Sequence, residues 1–244
     1  MTIIVTHISQ HGIIHAADSN LTDSQGKPAG TGQKLFKIPR LGSALTVAGN
    51  YSVGSTSMDS WMKGFISGDA SESLAKFVDN LRDTINRTAT IDEKQDGFFI
   101  HIAGYAVSGQ AHHPEFYYIT NYQIDSHTGG YLVPNTTLQS KEDFWSQNSS
   151  TPLSTLFAGG KGFIFCNGYP SGRQAYFALL KRMSEYRSAV WSEPSWNFRP
   201  PNNVDQEAAY LKNDMEHIKL LFLYSNYAAP YIGGDIEIHT IPCP

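Results

Sequence analysis

MTIIVTHISQHGIIHAADSNLTDSQGKPAGTGQK, residues 1–34, holds the reading on which the fold turns. β-Branched runs at 2–8 and 13–17 favour extended backbone, and Gln10-His11-Gly12 supplies a tight turn between them. The second strand ends at Asp18. Such a hairpin brings residue 2 back beside whatever follows the second strand. With Met1 removed, as a small second residue leads one to expect, Thr2 carries both a hydroxyl and a free α-amine. An α-amine titrates near ~8, so it can take the proton of its own hydroxyl at neutral pH without a histidine. Such a nucleophile needs a lysine to lower the hydroxyl pKa and a carboxylate to orient that lysine. Asp18 and Lys34 are the candidates. Each also has a plain reading: a threonine after the initiator that does nothing, a strand-end turn former, and a solvated loop lysine beside Lys37 and Arg40.

The bulk numbers bound the class. A chain of 244 residues, 41% hydrophobic and 16% charged, can bury a sizeable core as one domain. A net charge of −4 and the absence of any basic run argue against nucleic acid. No stretch approaches a membrane span, and the N-terminus lacks the pattern of a signal peptide. Cys166 and Cys243 stand far apart in no metal-like spacing, which fits free thiols and a cytoplasmic protein. The histidines, His7 and His15 among them, lack metal-site spacing. Those two are expected to pair across the first hairpin, and neither a metal nor a cofactor is expected.

Further along, residues 35–38 and 43–48 read as a third and fourth strand around a turn through Pro39 and Gly42. Helical periodicity follows at 52–66 and 74–85, the second with Leu74, Phe77, Val78, Leu81 and Ile85 as its apolar stripe. Ser71 is its expected cap and 88–96 an expected loop. Strands are expected at 98–105, 116–121 and 154–165, and helices at 173–190 and 205–225. A half-exposed strand closes the chain near 236–241. Residues 122–147 and 191–204 look like insertions. Strands, two helices, strands, helices and a strand imply an α+β layered domain, 1–244, not alternating βαβ units.

Taken together, these pieces resemble the catalytic β-type subunits of the proteasome family and their bacterial relative HslV. The match rests on Thr2-Ile3-Ile4-Val5, then Gly12 through Thr22 with its Ala17-Asp18-Ser19 core, then Lys34 and the Ala48-Gly49-Asn50 turn. Counted from the threonine, the Asp and Lys fall at the family's spacing, while the Lys-to-Gly interval is one residue longer. At the other end, Gly234-Asp235-Ile236-Glu237-Ile238-His239-Thr240 is similar to the HslV segment AGDICIYT. The resemblance implies the four-layer αββα sandwich of N-terminal-nucleophile hydrolases and a threonine-type endopeptidase. It implies Gly49 as backbone oxyanion donor and Ser19, Asn20, Leu21 and Thr22 as the strand that pairs with an extended substrate, with contacts at Leu21 and Thr22. Val47 and Tyr51 would flank the pocket beside the scissile bond, ordinary core packing being the alternative for both. It further implies peptide or unfolded-protein substrates, homo-oligomeric stacked rings and a ring ATPase unfoldase as partner.

The chain also departs from the pattern. The family's supporting Ser in a GSGS-like turn meets Ala158-Gly159-Gly160-Lys161-Gly162 here. Its Asp-x-x-Ser ahead of the late glycine pair meets Ala229-Pro230-Tyr231-Ile232. These gaps keep open a catalytically weak or inactive structural ring subunit, and because the implied fold supports either substrate class, an amidase acting on a small molecule with the same nucleophile also stays open.

Overall fold

β1 (Ile3–Ser9) and β2 (Gly12–Asp18) form the expected hairpin, with Ile4 opposite Ala17 and Ile8 opposite Ile13. The computed structural model describes residues 2–23, 27–108, 111–125, 131–142, 144, 151–157, 162–168, 170–191, 199–224 and 232–244. All seven residues of β2 are buried, which explains its run GIIHAAD: a strand covered on both faces loses the polar alternation of a half-exposed one. β1 is paired on its other side by β12 (Phe163–Gly168), and β2 by β13 (Ile236–Pro242). The result is a four-stranded antiparallel sheet in the order β12-β1-β2-β13.

The second sheet is built from β5 (Leu35–Ile38), β6 (Ser43–Gly49), β9 (Phe98–Ser108), β10 (Ala111–Asp125) and β11 (Tyr131–Glu142), ordered β11-β10-β9-β6-β5. α1 (Met58–Gly68) and α2 (Leu74–Thr88) pack on this sheet. α2 buries the whole predicted stripe, from Leu74 to Ile85, against Leu45, Val47, Ile100 and Ile102. The first sheet is covered by α5 (Pro170–Trp191) and α6 (Val204–Leu223), which sets Ala208, Leu211, Met215, Ile218 and Phe222 on Ile3, Val5, Ile14 and Ala16. Where the sheets meet, Ile8 and Ile13 pack with Ala44, Ala103 and Phe116. The described residues thus form a mixed α/β protein with more strands than helices. Among the described residues, no helix is long and apolar enough to cross a membrane.

Several local expectations are corrected. The Gly/Ser/Pro-rich stretch 23–32 reads as a loop, yet it contains β4 (Pro28–Thr31), which pairs with β3 (Asn20–Thr22). The helix expected from 52 starts only at Met58. Before it, β7 (Ser52–Val53) and β8 (Thr56–Ser57) form a small hairpin, turned by Gly54 and Ser55, both at positive φ. Glu93 holds that turn by accepting the Gly54 and Ser55 N–H groups at 2.9 and 3.0 Å. Glu93 belongs to α3 (Ile91–Gln95), where a loop was expected and where Thr90 and Glu93 form a capping box. Ser73, not Ser71, caps α2, because Ser71 is engaged by Asp69. Residues 153–156 form a helical turn, α4 (Leu153–Leu156), in place of the start of a strand. The turn Ala158–Lys161, residues 192–198 and Ala229–Tyr231 lie outside the described residues.

Candidate active site

Antiparallel pairing places the start of β1 beside the end of β2. Ile3 donates its N–H to Asp18 Oδ1 at 2.9 Å, so the residue ahead of it, Thr2, lies next to that carboxylate. Lys34 comes from the other sheet, one residue before β5. Its Nζ donates to Thr2 Oγ and to the Asn20 carbonyl, and lies 3.6 Å from Asp18 Oδ1. Thr2 is 4% exposed, Lys34 2% and Asp18 0%. A lysine and an aspartate this deep are uncommon unless paired. Here each finds the other, and the remaining valences go to the threonine, a carbonyl and two backbone amides.

Burial pushes the Asp18 carboxyl up and the Lys34 ammonium down. The attraction between them opposes both shifts. The Ile3 and Gly233 amides favour the carboxylate, and Glu237 favours the ammonium. Burial thus favours a neutral Lys34, and its partners favour the ammonium that sits against the Thr2 hydroxyl.

Gly49 ends β6 at φ +95°, and a Cβ there would run into the Gly97 carbonyl. Val47, two residues earlier, donates its N–H to the Lys34 carbonyl at 2.9 Å. Amides two apart on a strand point the same way, so the Gly49 N–H points to the side on which Lys34 enters, beyond the start of β5. Val47 itself is 2% exposed and belongs to the core under the helices. Tyr51 is half-buried, its ring against Gly32 and its hydroxyl donating to the Gln33 carbonyl at 2.7 Å.

The segment after Asp18 is tied down closely. Ser19 donates its N–H to the Asp235 carbonyl and accepts from Gly32 N–H, both at 2.9 Å, and its hydroxyl accepts from Asp235 N–H at 2.8 Å. Asn20 donates its N–H to the Gly233 carbonyl at 3.1 Å. Leu21 and Thr22 lie in β3, opposite Gly30 and Pro28.

Three contributors are not apparent from sequence patterns. Gly233 donates its backbone N–H to Asp18 Oδ2 at 3.1 Å. Glu237 Oε2 accepts from the backbone N–H groups of both Lys34 and Leu35, each at 2.9 Å. Gly168, at φ +121°, lies so close to the Thr2 carbonyl that a Cβ would overlap it. The match of residues 234–240 to an HslV segment marked the region of the first two, but not their bonds. Backbone donors leave no residue-type signal.

The histidines behave differently from expectation. His15 lies opposite Thr6 and His239, not His7, which faces Ile14. In the core, Asn167 Nδ2 donates to His101 Nε2 at 2.7 Å. That leaves His101 Nδ1–H for Thr6 Oγ at 3.2 Å, and the Thr6 hydroxyl for His15 Nδ1 at 3.2 Å. Burial holds both imidazoles neutral, each lowered to about 3.

The fold is defined by these two sheets and their helices. It is similar to that of Anbu, an ancestral beta-subunit, from Yersinia bercovieri, with a TM-score of 0.54 and 14% identity over 99% of this chain and 82% of that one. At that identity the likeness shows the fold alone. No family model matches the sequence, and no curated protein matches it.

Proposed function

We propose that the chain is a threonine-type peptidase subunit of the N-terminal-nucleophile class, with Thr2 as nucleophile once Met1 is removed. The observation that carries this reading is the buried contact of Lys34 Nζ with Thr2 Oγ, beside Asp18. It has the chemistry an amine-activated hydroxyl needs. In the proposed cycle the Thr2 α-amine takes the Oγ proton as Oγ adds to the substrate carbonyl carbon. Lys34 stabilises the developing alkoxide, and Asp18 holds Lys34. Gly49 N–H meets the oxyanion, a donor of a kind whose loss typically costs ~3 kcal/mol. The C–N bond then breaks as the amine returns its proton to the leaving nitrogen. Water, deprotonated by the same amine, hydrolyses the acyl ester.

The substrate we assign is a peptide or unfolded protein, extended along the segment that holds Ser19, Asn20, Leu21 and Thr22. Val47 contributes to the floor of the neighbouring side-chain pocket from below, and Tyr51 to its wall. The architecture we assign is a single four-layer αββα domain, working in the cytoplasm in stacked homo-oligomeric rings, with a ring ATPase as the partner that delivers substrate. The proteasome-β-like fold supports the ring.

The test is intact mass after incubation with a peptide epoxyketone, a reagent that requires a hydroxyl and a free α-amine on one residue. The expected result is loss of Met1 and a single adduct on wild type, with none on Thr2→Ala. Retained Met1, or no adduct, moves the protein to an inactive structural subunit. An adduct without peptide cleavage points to a small-molecule amidase.

A further inference from the structure

Glu237 stands on β13, opposite Ala17 and one residue from the Ile236–Asp18 pair. It bridges the two sheets: from the edge of the first it accepts two consecutive backbone amides at the start of β5 in the second. Those amides belong to Lys34 and the residue after it. The edge strand of one sheet therefore sets where the lysine backbone sits, while Asp18, on the neighbouring strand, meets its side chain. The similar HslV segment has Cys at this place, so the carboxylate is a feature of this chain. Other titratable groups near Glu237 are Lys34 and the Tyr51 phenol. Lys37, Arg40, Lys63 and Asp69 line the groove of about 770 Å³ on its outer side.

We propose that Glu237 is a positioning residue for Lys34: it clamps the backbone carrying the lysine and supplies, after Asp18, the second carboxylate near its ammonium. The proposal rests on the catalytic reading of Lys34 above. A carboxylate accepting two amides is a strong, directional restraint. Its charge favours the protonated lysine, against the burial that favours the neutral amine. Removing the charge and removing the clamp are separable changes. Gln keeps an acceptor oxygen in place without the charge, and Ala removes both.

The test compares wild type, Glu237→Gln and Glu237→Ala in two measurements. The first is the titration of Lys34 by NMR in protein labelled with ¹³Cε-lysine, the signal assigned with Lys34→Arg. In Glu237→Gln the Lys34 midpoint falls by roughly half a unit or more, with thermal stability little changed. The second is the rate of epoxyketone adduct formation against pH. Its alkaline limb moves down with the Lys34 midpoint in Glu237→Gln. Glu237→Ala also lowers the plateau by about tenfold, as expected for a misplaced catalytic group, and Glu237→Gln recovers most of that loss. An unmoved Lys34 midpoint in Glu237→Gln overturns the proposal, whether or not the protein reacts. A moved midpoint in a protein that takes no adduct upholds the hold of Glu237 on Lys34 and removes the hydrolase reading instead.

Discussion

Gly233 donates its backbone N–H to Asp18 Oδ2 at 3.1 Å, while Asp18 Oδ1 accepts from Ile3 and faces Lys34. The two ends of the chain meet on one carboxylate. The late turn lacks the Asp and Ser side chains of the family it resembles, and a main-chain amide from that same turn reaches the site. A backbone donor keeps Asp18 oriented with no particular side chain at the position, which is why the missing residues are compatible with an intact buried pair.

That pair predicts a non-additive mutant cycle. Lys34→Met leaves a buried carboxylate without its cation and costs about 3 kcal/mol or more. Asp18→Asn turns an amide N–H₂ toward a donor, Gly233 or Lys34, and also destabilises. The double variant recovers part of the combined loss, because no lone charge is left inside. Urea unfolding of the four proteins measures the coupling. A sum of the single effects would show that the two side chains do not interact.

Gly49→Ala puts a Cβ into the Gly97 carbonyl at a φ of +95°. The strand end must shift, at a strain cost of about 1–3 kcal/mol. The shift turns the N–H away from the Thr2 side, and the adduct rate falls by about 10²-fold. Wild-type rate in a folded Gly49→Ala protein would dismiss the oxyanion role of this amide.

Gly168→Ala acts from the opposite side. Its methyl overlaps the Thr2 carbonyl and displaces the nucleophile from Lys34. The expected outcome is an adduct rate reduced by about tenfold or more, for a misplacement on the order of 1 Å. The melting temperature falls as well, since φ is +121° here. Comparison with Gly30→Ala, at φ +109° but in open space, separates overlap at Thr2 from backbone strain alone.

The core histidines predict acid sensitivity that begins well above the carboxylate range. His15 and His101 are neutral when folded, at about 3, against an ordinary value of 6.5. Below 6.5 the unfolded chain takes up protons that the folded one refuses, so stability falls as pH drops. The slope is about 1.4 kcal/mol per pH unit for each histidine, ending near pH 3. His101→Gln flattens the slope between pH 6 and 4 in urea melts. An unchanged slope would mean that His101 protonates in the fold.

What the sequence determined by itself was local and periodic. The β-branched runs around Gly12, the apolar stripe from Leu74 to Ile85 and the 3–4 spacing from Ala208 to Phe222 each state their own secondary structure and buried face. The hairpin put Thr2 beside Asp18, while the spacing that added Lys34 to the candidate trio had meaning only through the resemblance to a known family. Strong local turns were harder to read: the Gly54-Ser55 hairpin has its turn amides bound by Glu93, nearly forty residues on. The contacts that complete the site were decided by the tertiary structure alone. Gly233 reaches Asp18 across a separation of 215 residues, and Glu237 reaches Lys34 across 203. Both bonds end on or start from main-chain N–H groups, which every residue but proline carries. No pattern of side chains announces them, and only the packing of two sheets brings them within reach.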